Sequence, residues 1–137
     1  KYQMGDIAFE EYRRAIINTI EQYIPENYGY ERHISCLAGN CSFTINWQGM
    51  IRPCVMQSMP QVNVFDKGFL QGWETISNET KKILINEACV SCRYRPICNT
   101  CAAAALLETG NYDGIPEYIC EYTKEFYRIM KEGARIC

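Results

Sequence analysis

The chain has 137 residues, enough for one domain or for a small domain with a helical extension, and a chain of that size buries only a modest core. Fourteen Lys plus Arg stand against 16 Asp plus Glu, a net charge of −2 with no block of like charge, which argues against a nucleic-acid partner. No run of about 18 apolar residues occurs, and the N-terminus lacks a charged segment followed by a continuous apolar one, so the expectation is a cytoplasmic protein with no membrane span and no export signal.

In chain order, Ile7, Phe9, Tyr12, Ile16, Ile17, Ile20, Tyr23 and Ile24 recur largely at spacings of three and four. That spacing predicts a helix with Asp6 as N-cap and Pro25 as its stop. Its apolar stripe reads as a packing face. Because helical sequence follows almost at once on Lys1, the chain reads as a piece of a longer protein. Residues 1–32 are then an N-terminal helical extension, and residues 33–137 the domain with its C-terminal helix.

Residues 42–46 alternate, with Phe43 and Ile45 on one side, and residues 50–55 follow a Trp47-Gln48-Gly49 turn, which predicts a β-hairpin. Cys41 stands at its start and Cys54 at its end, so chain reversal brings the two thiols together. Pro53 removes a backbone donor and places this part at an edge or at the end of the ladder.

Phe69, Trp73 and Ile76 have helical spacing, and a second short helix is predicted from residue 79 into Ile85. Residues 102–108 are strong helix formers stopped by Gly110, which suits a left-handed C-cap. A loop at 111–114 precedes a helix over 117–131 whose expected buried side is Tyr118, Tyr122, Phe126 and Ile129. The predicted class is α+β: a small cysteine-rich domain with a β-hairpin and several short helices organised around two metal clusters, preceded by an N-terminal helix.

Nine cysteines, at 36, 41, 54, 89, 92, 98, 101, 120 and 137, are the feature that needs explanation. A disulfide framework expects an oxidising compartment and usually an even count. Cysteines two residues apart in a reduced cytoplasm more often bind metal. The run Cys89-x2-Cys92-x5-Cys98-x2-Cys101, with Cys120 further on, lets turns point pairs of sulfurs inward while backbone amides stay free to donate to metal-bound sulfur. Four thiolates complete one site for zinc or for iron, so eight grouped cysteines suggest two closed sites. Spacing alone would put Cys89, Cys92, Cys98 and Cys101 together. Cys137 reads as a free terminal thiol and His33 as a polar side chain, since thiolates already complete each site. Arg52, Arg93 and Arg95 lie beside these cysteines and could offset the charge of four-thiolate centres.

Cys36-x4-Cys41, Gly49-x4-Cys54, the Cys89-x2-Cys92-x5-Cys98 run, Cys101 with its alanine-rich helix, and Cys120 together resemble the SPASM domain, the C-terminal auxiliary region of radical S-adenosylmethionine enzymes. The resemblance covers about residues 33–122. It departs at one place, with two residues instead of three between Cys98 and Cys101. It implies a first 4Fe-4S cluster on Cys36, Cys41, Cys54 and Cys101 and a second on Cys89, Cys92, Cys98 and Cys120. It also implies a parent enzyme that modifies a peptide or protein, in which these clusters transfer electrons or position the substrate. The partner would be the S-adenosylmethionine-binding radical barrel of the parent chain. The barrel's C-x3-C-x2-C signature is missing here, so no catalytic residue is assigned and this piece alone should be inactive. The alternative is a structural zinc module with two four-cysteine sites and an interaction surface.

Overall fold

A computed structural model describes residues 5–27, 32 and 36–133. Helix α1 (Asp6–Glu21) is followed by a single 3-10 turn that begins at Pro25. Gly5, not Asp6, is its N-cap, and the Gly5 carbonyl accepts from the Phe9 amide. Ile20 and Tyr23 are buried, whereas Ile7, Tyr12 and Ile24 are exposed. This helix packs on the last helix of the same chain, and Arg13 Nη1 donates to the Met130 carbonyl at 3.0 Å.

Strands β1 (Thr44–Ile45), β2 (Met50–Arg52) and β3 (Val62–Asn63) form one antiparallel sheet in that order. Thr44 faces Arg52 across the predicted hairpin. The third strand was not expected, because two residues are too few to show an alternation. Helix α2 (Val64–Lys67) follows directly, and helix α3 (Phe69–Thr80) lies on the sheet. Gly72 makes that approach possible: a Cβ there would meet Ile51 Cγ2 at 3.2 Å. Ile51 and Ile76 are fully buried at this contact, and Phe43 packs on Phe69 and Trp73.

Residues 81–85 are not helical, contrary to the sequence expectation. Lys81 caps α3, and the next helix, α4 (Glu87–Val90), starts only where the Asn86 side chain accepts from the Ala88 amide at 2.9 Å. Helix α5 (Ala102–Thr109) ends at Gly110 in the left-handed conformation, as predicted. Helix α6 (Glu117–Glu132) buries Thr123, Tyr127 and Met130. Tyr118 and Tyr122, expected inside, are exposed. The predicted stripe was rotated by about one residue, or ~100° of helix. Tyr127 meets Tyr94 edge-on at 5.8 Å on the side where Cys120 also faces inward. The class is α+β, and no described helix is long and apolar enough to cross a membrane.

Candidate metal centre

Local turns and helix starts place the cysteines. The Leu37 carbonyl accepts from the amides of Asn40, Cys41 and Ser42 at 3.0, 2.8 and 3.0 Å, which curls residues 36–42 into a tight loop. Gly39 at its apex has φ +70° and rests on the buried side chain of Thr80 at the end of α3. The Ala38 amide turns back to donate to Cys36 Sγ at 3.4 Å. Cys54 follows the last strand residues of the hairpin, after the buried Pro53. Cys101 occupies the N-cap of α5, and its carbonyl accepts from the Ala105 amide at 3.0 Å.

Cys36, Cys54, Cys98 and Cys101 line one cavity of about 310 Å³, together with Ala102 and Ala103 from the first turn of α5. The free amides of that turn and the positive end of the helix dipole therefore border a space walled by sulfur, a setting that favours negative charge. Cys41, expected with this group, is exposed and is not part of the cavity wall.

Cys89, Cys92, Cys98 and Cys120 line a second cavity of about 30 Å³. Successive turns deliver two of them: the Cys92 carbonyl accepts from the Arg95 amide at 2.9 Å, and the Arg95 carbonyl from the Cys98 amide at 3.4 Å. Pro116 caps α6, and the Cys120 amide donates to the Pro116 carbonyl at 3.1 Å, so Cys120 sits in the first turn of that helix. Burial pushes the Cys89 thiol up, and the nearby Cys120, Cys92 and Cys98 push it further, against an opposing pull from Arg95. Burial also raises Cys120, with Cys98 and Cys92 adding to it. Four thiols thus feel one another here, as anionic groups sharing a small volume must.

Cys98 and Thr100 border both cavities, and the Thr100 hydroxyl lies 3.4 Å from Cys98 Sγ as its hydrogen-bond donor. Cysteine spacing does not mark this hydroxyl, although Thr100 stands between Cys98 and Cys101 in the sequence. Nor does it mark Gln57, buried against the first cavity and donating to the Met59 carbonyl at 2.9 Å. His33 and Cys137 lie outside the described residues.

Among the described residues the eight cysteines are free thiols, and no three His, Cys, Asp or Glu side chains are grouped so as to hold a single metal ion. A zinc ion would draw its sulfurs to about 2.3 Å from one point. By chemistry the donor set, thiols with inward-facing amides, suits an iron-sulfur cluster as well as zinc. The first cavity has room for a group larger than an ion. The second, at about 30 Å³, is smaller than a cluster as it stands. Comparison of the chain with protein-family models, curated proteins and solved structures finds no match.

Proposed function

We propose that this chain is an auxiliary iron-sulfur domain of the SPASM kind, holding two 4Fe-4S clusters for a radical S-adenosylmethionine enzyme that acts on a peptide or protein. The observation that supports the reading is which thiols share a cavity, with Cys98 bordering both cavities and Cys41 bordering neither. Cys101 shares the first cavity with Cys36 and Cys54, while Cys120 shares the second with Cys89, Cys92 and Cys98. A grouping by sequence proximity would have left Cys120 outside. When bound, such clusters supply one-electron chemistry. The residues of this chain would hold them and, at the first site, would join thiols of the hairpin half to Cys101 of the helical half, so that loading adds to the stability of the fold. The radical chemistry itself belongs to the barrel of the parent protein.

The zinc module is the second reading, and the small second cavity favours it, because about 30 Å³ suits an ion better than a cluster. One assay separates the two. Anaerobic reconstitution is expected to give about eight iron and eight sulfide per chain, with a broad absorbance that bleaches on reduction. Two zinc ions and no sulfide would establish the zinc module instead.

A further inference from the structure

The family resemblance assigns Cys36, Cys41, Cys54 and Cys101 to one centre, and the structure departs from that set at one residue. Cys36, Cys54, Cys98 and Cys101 line the cavity of about 310 Å³, and Cys41 is exposed outside it. The turn over residues 36–42 accounts for Cys41. Ala38 is buried against the cavity and Gly39 rests on Thr80, so the loop is seated by its first limb. The returning limb, residues 40–42, is exposed, and there the Cys41 amide is bound to the Leu37 carbonyl at 2.8 Å. The sequence accounts for Cys98. Two residues stand between Cys98 and Cys101, where the family pattern has three. That interval is one at which a turn delivers two sulfurs to a single metal site, and the chain from Cys98 to Ala103 walls the cavity without a break. The Thr100 hydroxyl donates to Cys98 Sγ at 3.4 Å, a contact that suits a metal-bound thiolate.

We propose that the first 4Fe-4S cluster is held by Cys36, Cys54, Cys98 and Cys101, and that Cys41 is a free thiol. The proposal rests on the iron-sulfur reading and concerns the first centre alone. Cys98 also borders the second cavity, but that space is smaller than a cluster, whereas the first has room for one. Four thiols surround the first cavity, yet among the described residues no three are grouped so as to hold a single ion. That spread matches a cluster, whose irons take one thiolate each, better than a lone zinc, which draws all four sulfurs to one point. Each ligand binds as the thiolate, its proton passing to solvent.

The test uses the full chain, reconstituted anaerobically with iron and sulfide and then treated with iodoacetamide. Peptide mass mapping should find Cys41 alkylated and Cys36, Cys54, Cys98 and Cys101 protected. Cys41→Ala should keep the iron and sulfide of the unsubstituted chain, whereas Cys54→Ala should lose one cluster. Cys98→Ala combined with Cys54→Ala should lose no more iron than Cys98→Ala alone, since residues of one site are non-additive. Protection of Cys41, or a loss in Cys41→Ala equal to that in Cys54→Ala, overturns the proposal. So do losses that add when Cys54→Ala and Cys98→Ala are combined. Should Cys98→Ala fail to fold, the labelling of Cys41 decides, because it needs no substitution. An unsubstituted chain that takes up neither iron nor sulfide overturns the iron-sulfur reading itself, and this assignment with it.

Discussion

Cys54, just beyond a β-hairpin, and Cys101, at the first turn of α5, border the same cavity, although the Cys89 to Cys98 run lies between them in the chain. Residues that serve one site are non-additive when removed together. Cys54→Ala and Cys101→Ala should each cost the iron of one centre, and the double variant should lose little more. Cys101→Ala with Cys89→Ala should empty both. Iron and sulfide counts on the four proteins check this, and the reverse pattern would reassign Cys101 to the second centre. Cys98 borders both cavities, so Cys98→Ala is the single change expected to disturb both.

The thiols also differ in reactivity. Only the thiolate attacks an alkylating agent. Cys36 and Cys41 are exposed, whereas Cys89 and Cys120 are partly buried and held above their ordinary value by burial and by neighbouring thiols. In the metal-free chain at about pH 8, iodoacetamide should label Cys36 and Cys41 first and Cys89 and Cys120 last, by peptide mass mapping. Because a raised thiol pKa means the fold prefers the protonated form, this contribution to stability is present below the unfolded value near 9.0 and is lost as pH rises past the folded one. The metal-free fold should therefore loosen, and the labelling order flatten, in that alkaline range. Early labelling of Cys89 at pH 8 would contradict the burial.

The helices were legible where local signals were strong: the alanine-rich run before Gly110, and Pro25 after α1. The buried face of α6 was not legible, because Tyr118 and Tyr122 carry the same helical spacing as the side that is buried. Only the docking of α6, with Cys120 turned to the second cavity and Tyr127 to Tyr94, decides between them. The cysteine spacing announced a sulfur-rich site. Which cysteines share a cavity depends on turns at Arg95 and on the placement of α5, which are tertiary facts and leave no mark in spacing. Thr100 and Arg95 likewise gain meaning only once the loop that carries them is folded over the thiols.

The loop that carries Cys36 and Cys41 depends on one glycine. Gly39 has φ +70°, and a Cβ there would overlap Thr80, which is fully buried and whose hydroxyl has no hydrogen-bond partner among the described residues. Gly110 has φ +79° with nothing within 4 Å of an added Cβ. Gly110→Ala should therefore cost only the backbone term of a left-handed residue that carries a Cβ, about 1–2 kcal/mol. Gly39→Ala should cost about 1–3 kcal/mol more, because steric overlap with a rigid core adds to it. Denaturant unfolding of both variants measures the difference. Removing the obstacle tests its cause: Gly39→Ala should be less harmful in a Thr80→Ala background, where the three overlapping atoms are reduced to Cβ alone. Equal losses in the two backgrounds would show that the contact with Thr80 does not seat the loop. The effect should also be local, since Gly39 shares its loop with Cys36, a wall of the first cavity, and with none of the four thiols of the second.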